Sequence, residues 1–182
     1  MMMLSIIEAV LAFIPAMAAN SLAVVFGGGT PIDFGRKIGG KRILGNGKTW
    51  KGLIGGGVSA SLIGILLSFI SKDFLSLYPL NNRGYMIILV LSFGALFGDI
   101  GASFIKRRIG RKRGEKTPLL DQYDFVIGSY LLGFLFYSKW MYNNYMKGYG
   151  TIATIIILIA IPILHRSTNY IGYKIGMKNE PW

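Results

Sequence analysis

Five long apolar segments run through this sequence and constrain its fold more than any other feature. A helix needs about 20 apolar residues to cross the hydrocarbon core of a bilayer. The predicted spans cover residues 4–26, 52–71, 85–105, 118–138 and 149–164, the last being the shortest. We therefore expect one all-α integral membrane domain, residues 1–182, with five transmembrane helices.

Basic residues indicate how these helices are oriented. All but four of the 20 Lys and Arg residues fall in the loop 27–51, the loop 106–117 or the C-terminal tail. The positive-inside rule predicts that these three segments face the cytoplasm and that the N-terminus lies outside. The first apolar segment lacks the positive start of a signal peptide and is interpreted as a retained helix. The net charge of +12 is then a property of the topology, and no nucleic-acid partner is predicted.

Small residues recur within the second and third predicted spans. Gly52 and Gly56 are four residues apart, as are Gly94 and Gly98. This spacing is typical of helices that pack closely in lipid. We interpret these four glycines as packing positions.

Three aspartates interrupt apolar sequence at a similar predicted depth. Asp99 lies near the cytoplasmic end of the third span, while Asp121 and Asp124 lie just inside the fourth. On the third helix, Ser103 and Lys106 follow Asp99 at i+4 and i+7 and share its face. Carboxylates at membrane depth are costly unless they are compensated, and such groups usually mark function.

The compensating partner of these aspartates is predicted to be a divalent cation. The chain has no cysteine and one remote histidine, so the donors are oxygens, which favour Mg²⁺ over zinc. The alternative is a set of buried Asp–Lys pairs that join helices through Lys106 or Arg107. Both alternatives remain open at this stage.

The loop 27–51 combines glycines with lysines. Its Gly47–Thr49 segment resembles part of a P-loop, but Arg42 stands where that motif needs glycine, so the P-loop interpretation fails. Exposed backbone N–H groups and lysines still suit polyphosphate. The alternative is a loop that rests on anionic lipid. Beside an acidic metal site, the first interpretation predicts phosphoryl or nucleotidyl transfer onto a lipid.

Two segments carry a resemblance to a known family. GDIGASFIKRR followed by PLLDQYD resembles the C-terminal signature of CDP-diacylglycerol synthases. PAMAAN in the first span and PIDFGRKIGGKRILGNGKTWKG in the first loop are closer to the archaeal branch, the CDP-archaeol synthases. The resemblance extends from Pro15 to Asp124. It implies transfer of CMP from CTP to 2,3-di-O-geranylgeranylglycerol 1-phosphate, with Mg²⁺ as cofactor and pyrophosphate as the second product.

The resemblance also implies roles for individual residues. The implied catalytic residues are Asp99, Lys106 and Asp121, and the implied metal ligands are Asp99, Asp121 and Asp124. The residues implied to bind CTP and its phosphates are Asn46, Lys48, Thr49, Lys51, Ser103, Lys106 and Arg107, with Asn20, Pro31 and Asp33 as further candidates. The bacterial signature has Asp-Arg where this chain has Asp121-Gln122, so a role for that arginine does not transfer.

Partners and location follow from the same interpretation. CTP, the lipid phosphate and membrane lipids are the expected partners, and a dimer is allowed. The expected location is the cell membrane, with the active site facing the cytoplasm. Two other function classes stay open: a glycerol-phosphate acyltransferase-like lipid enzyme, and a non-enzymatic carrier that uses the intramembrane acids.

Overall fold

The computed structural model describes residues 2–73, 75–112, 115 and 117–177. Three basic residues used in the topology prediction, Arg113, Lys116 and Lys178, lie outside the described residues. The described residues form six α-helices, a short hairpin and a π-helical turn, in the chain order α1 Met2–Ala12, α2 Ile14–Val25, β1 Lys37–Ile38, β2 Lys41–Arg42, α3 Trp50–Ser71, α4 Asn82–Arg108, α5 Pro118–Met141, the π-helical turn Tyr142–Met146, and α6 Tyr149–Lys174.

Four helical segments of the described chain are long and apolar enough to cross a membrane: Met3–Val25, Trp50–Ser71, Asn82–Arg108 and Tyr149–Lys174. An all-helical membrane protein is therefore confirmed. Helix α5 has a similar length of 24 residues, with a kink at Tyr137, and is not among the four. Charged residues such as Asp121, Asp124 and Lys139 lower its hydropathy, so the fifth span stays a prediction.

The first and last predicted spans depart most from their predicted bounds, whereas the other three differ by two or three residues at an end. The first span is broken at Phe13, whose N–H donates to the Val10 carbonyl at 3.1 Å. The carbonyl of Ala9 is thereby released and accepts a hydrogen bond from the Tyr145 hydroxyl at 3.0 Å. The Tyr145 hydroxyl thus provides a hydrogen bond for a backbone carbonyl that has lost its donor within the helix. The last helix, α6, continues ten residues beyond the predicted end at 164, because hydropathy marks the apolar part of a helix rather than its end.

Close glycine contacts hold the helices together, as the spacing predicted. A Cβ atom at Gly52 would lie 2.9 Å from the carbonyl oxygen of Ala23, so α3 touches the backbone of α2. A Cβ atom at Gly94 would lie 2.8 Å from the Cα of Ser129, and one at Gly98 would lie 2.9 Å from the carbonyl carbon of Asp124. Helices α4 and α5 therefore meet backbone to backbone, which brings Asp99 close to Asp124.

Candidate active site

The segment between α2 and α3 folds around one buried carboxylate, Asp33. Arg42 donates to it through Nη2 at 2.7 Å and Nε at 3.2 Å. The backbone N–H groups of Leu44, Gly45 and Gly35 donate to the same carboxylate at 2.9, 3.1 and 3.1 Å. The Arg42 guanidinium, helped by these N–H donors and opposed by burial, holds the pKa of Asp33 well below its usual range. Asp33 therefore organises the loop and is not among the residues that line either cavity described below.

The end of this loop is fixed at the start of α3. Ile32 N–H donates to the Lys48 carbonyl at 2.8 Å, and Pro31 forms a bridge with Thr49. The Thr49 hydroxyl caps α3 by accepting from the Gly52 N–H at 3.2 Å. These bonds fix Lys48 one residue before the cap. Lys51 lies along Gly29 and, like Pro31, is absent from the described linings of both cavities.

A large cavity of about 810 Å³ lies between this loop and helices α2, α3 and α4. The glycine-containing turn Gly45–Gly47 forms one wall. The site residues predicted from the sequence that line it are Asn20, Asn46, Lys48, Thr49, Asp99, Ser103, Lys106 and Arg107. The helical face that carries Asp99, Ser103 and Lys106 thus points into one space, as its spacing predicted.

A second cavity of about 270 Å³ adjoins the first, between α2, α4, α5 and α6. The three aspartates Asp99, Asp121 and Asp124 all line it, and apolar residues of α6, Ile161 and Leu164, form part of its wall. Both cavities share a junction, which is lined by Asn20, Val24, Lys48, Asp99, Lys106 and Arg107. The acids that the sequence placed at similar depth therefore face a common space.

Two of the three aspartates are engaged by lysines. Lys48 pairs with Asp99, and Lys106 pairs with Asp121 at 2.6 Å. Asp121 also accepts from the Thr117 N–H at 2.8 Å. Asp124 is buried and has no ion-pair partner among the described residues. The Lys106 pair is one that the alternative to a metal site required, whereas the Lys48–Asp99 pair was not predicted.

Two polar atoms at the junction lack a partner in the described part of the chain. They are Oδ1 of Asn20 and Nε of Arg107, and both are buried. A buried polar atom without a hydrogen bond is costly unless a ligand or water supplies one. Asn20 and Arg107, which both line the junction, therefore each have one unsatisfied hydrogen-bonding atom.

Sequence reasoning did not identify the two arginines that hold the loop. Arg42 reaches Asp33 and also donates to Asn46 Oδ1 at 2.6 Å. Arg108, the last residue of α4, donates to three loop carbonyls. The Gly39-Gly40 pair between Ile38 and Lys41 was a turn signal that could have revealed the hairpin.

Comparison with known proteins gives a consistent result over the whole chain. The sequence model of a family described as CarS-like, CDP-archaeol synthase, matches residues 2–182. A CDP-archaeol synthase from Methanoculleus marisnigri is 45% identical over 173 residues, which cover 93% of this chain and 99% of the relative. Another from Picrophilus torridus is 45% identical over 184 residues, covering 97% of each.

A solved structure is similar as well. It is described as an intramembrane enzyme for archaeal membrane lipids biosynthesis. The TM-score is 0.70 and the identity 34%, with 90% of this chain and 94% of the other covered.

Proposed function

The chain belongs to the CDP-archaeol synthase family of CTP-dependent cytidylyltransferases, and we propose that its reaction takes place where the two cavities meet. CMP is transferred from CTP to an archaeal ether-lipid phosphate, 2,3-di-O-geranylgeranylglycerol 1-phosphate, giving CDP-archaeol and pyrophosphate. The acyltransferase-like and carrier interpretations have no support from the comparisons. The observation that carries the proposal is the convergence of Lys48, Lys106 and Asp99 on the junction, with Asp121 and Asp124 lining the adjoining smaller cavity.

The larger cavity is proposed to hold CTP. Its volume of about 810 Å³ lies in the range of roughly 300–1,000 Å³ that is usual for small-molecule sites. The Gly45–Gly47 turn forms one wall of the cavity, and Lys48, Lys106 and Arg107 supply positive charge for the polyanionic triphosphate. The smaller cavity, with its apolar α6 wall, is proposed to receive the phosphate of the lipid.

Mg²⁺ is proposed to be held by Asp99, Asp121 and Asp124. The donor set fits in kind, because all three groups are carboxylates facing one cavity and the buried Asp124 lacks a cationic partner in the described residues. No group of three such side chains in those residues is close enough to hold an ion as they stand. Lys48 and Lys106 must therefore leave Asp99 and Asp121, and the triphosphate is the natural new partner for both ammonium groups. The bound ion would neutralise charge on the phosphate being transferred.

The residues themselves can be assigned to the steps of the transfer. A phosphate monoester has a second pKa of about 6, so the lipid phosphate is largely ionised at neutral pH and needs no strong base. One of its oxygens attacks the α-phosphorus of CTP in line. The new P–O bond forms while the bond to the bridging oxygen of the β-phosphate breaks, and pyrophosphate leaves with that electron pair. Lys48, Lys106 and Arg107 stabilise the charge that develops on these oxygens.

The proposed topology completes the assignment. Helix α5 is proposed as the fifth span, with both basic loops and the active site on the cytoplasmic side. CTP then arrives from water, while the lipid phosphate reaches the junction along the bilayer. The proposal includes no nucleic-acid partner and leaves a dimer as one oligomeric form.

The test is a pyrophosphate-release assay on protein reconstituted in lipid nanodiscs. Release should require both CTP and the lipid phosphate together with Mg²⁺. Asp99→Asn should abolish release while the protein still inserts and folds. Asp73→Asn is the matched control, because Asp73 is exposed and outside the described cavity linings. Equal rates for the two variants, or turnover that needs an acyl donor in place of CTP, would refute the proposal.

A further inference from the structure

Arg108 links the C-terminal end of α4 to the hairpin β1–β2. Its guanidinium donates to the carbonyl oxygens of Arg42 at 2.6 Å, Ile38 at 2.8 Å and Lys41 at 3.2 Å. In return, the Lys41 ammonium group donates to the Arg108 carbonyl at 3.4 Å. The hairpin lies 66 to 70 residues before Arg108 in the chain, so these bonds join distant segments.

The hairpin in turn is connected to the wall of the larger cavity. Arg42, whose carbonyl binds Arg108, uses its own side chain to hold Asp33 and Asn46. Asn46 lines the cavity, and Asp33 also fixes the amides of Leu44 and Gly45, which line it too. A continuous set of hydrogen bonds therefore runs from the end of α4 to the proposed nucleotide wall.

We propose that Arg108 is a positioning residue that holds the loop 27–49 in register with α4, so that CTP binds to a preformed cavity. The inference rests on the proposed function, because it concerns the wall assigned to CTP. Helix α4 carries Asp99, Ser103 and Lys106, and the loop carries Asn46 and Lys48. A fixed loop thus sets the distance between the two halves of the site and lowers the ordering cost of binding.

Arg108 acts through directed hydrogen bonds rather than through its net charge. Its donors reach backbone carbonyls, and no ion pair of Arg108 occurs among the described residues. A guanidinium presents a planar fork of donors that can engage several carbonyls at once, whereas a lysine offers one point. The ring of Phe104, one turn earlier on α4, lies under the guanidinium at 5.4 Å and helps to orient it.

Arg111 supplies a matched control in the same basic loop. It pairs with Glu115 at 2.8 Å, both side chains are more than 40% exposed, and Arg111 does not line either cavity. Removing Arg111 deletes the same charge near the membrane surface without touching the hairpin. A difference between the Arg108 and Arg111 variants therefore reports the loss of the hydrogen bonds to the hairpin and not the loss of a positive charge.

The experiment compares Arg108→Lys, Arg108→Ala and Arg111→Ala in nanodiscs. Amide hydrogen exchange over residues 36–47 is measured without nucleotide, and KM is determined separately for CTP and for the lipid phosphate. Both Arg108 variants should exchange faster in the hairpin and raise the KM for CTP roughly tenfold, which corresponds to about 1.4 kcal/mol. The KM for the lipid phosphate and the rate at saturating CTP should stay within about twofold of the parent. Arg111→Ala should match the parent in the exchange of the hairpin and in the KM for CTP.

Unchanged exchange and an unchanged KM for CTP in Arg108→Lys would overturn the inference, and so would full rescue by lysine of a defect seen in alanine. If Arg108→Ala fails to insert, Arg108→Lys alone decides, because it keeps the charge. Lys48→Ala separates this inference from the proposed function. If Lys48→Ala loses affinity for CTP and the Arg108 variants do not, only the positioning role of Arg108 is refuted. If Lys48→Ala loses no affinity for CTP, the assignment of the larger cavity to CTP is refuted.

Discussion

The contact between α4 and α5 at Gly98 fixes the spacing of the proposed catalytic carboxylates, and a single methyl group should disturb it. In Gly98→Ala the new Cβ would first meet the carbonyl oxygen of Asp124, and it would lie 2.9 Å from the carbonyl carbon of Asp124 and 3.0 Å from the Cα of Gly128. Carbon atoms in favourable contact are about 3.5–4.0 Å apart, so the two carbon contacts alone require the helices to separate by about 0.6 Å, and the carbonyl oxygen requires more. All three obstacles are backbone atoms, which cannot rotate away.

This separation should be visible in both activity and stability. Overpacking of this kind typically costs about 1–3 kcal/mol. A displacement of about 1 Å at a reacting centre can cost about 100-fold in rate, so we expect a loss of roughly 10- to 100-fold in kcat/KM. The change falls on Asp99, the residue next to Gly98, and on Asp124, whose carbonyl meets the new methyl group.

Gly101→Ala is the control, because Gly101 lies three residues further along α4 and a Cβ there meets nothing within 4 Å. Alanine is the better helix former, so this variant should be as stable as the parent or slightly more so. The assays are pyrophosphate release and thermal unfolding in the same detergent. Gly98→Ala with the activity and midpoint of Gly101→Ala would refute the idea that this contact sets the spacing of the acids.

Three further outcomes are expected. Asp121→Asn should lower turnover by on the order of 100-fold, because it removes a proposed metal ligand and the partner of Lys106; turnover near the parent's would make that pair purely structural. Lys48→Ala should raise the KM for CTP about 10- to 150-fold through loss of a charge-assisted contact, whereas Lys112→Ala should have a much smaller effect that varies with anionic lipid, and equal effects would contradict the assignment. Because the chain has no cysteine of its own, Lys112→Cys and Asp73→Cys each carry a single thiol. An impermeant thiol reagent should label Lys112→Cys only after sealed cells are opened, and it should label Asp73→Cys in sealed cells. The reverse pattern would invert the topology.

The helical architecture could be predicted from sequence because the bilayer imposes it. A segment such as Trp50–Ser71 has to satisfy its backbone internally whatever its neighbours are, so composition suffices. Glycine spacing also identified the faces of α3 and α4 that pack closely, because residues without a side chain let neighbouring helix backbones approach each other. The shared face of Asp99, Ser103 and Lys106 required nothing beyond helical geometry.

The pairing across the site could not be predicted in this way. Lys48 and Asp99 are 51 residues apart and meet only because the loop before α3 and helix α4 line the same cavity. No periodicity encodes such a meeting. Asp33 matched a family pattern and was therefore a candidate for substrate binding, but its location depends on the hairpin that brings Arg42 back to it. The hairpin, with strands of two residues each, was too short to give a period.

The backbone contact of α4 with α5 also determines which parts of this enzyme can be redesigned. Positions such as Gly98 and Gly128 leave no room for a larger side chain, so the contact between these two helices cannot be reshaped by substitution. Helices α2 and α6 instead present side chains to the smaller cavity, among them Met17 and Leu164. Attempts to change the range of accepted lipids should therefore begin with libraries on these two helices and keep the α4–α5 pair as an invariant frame.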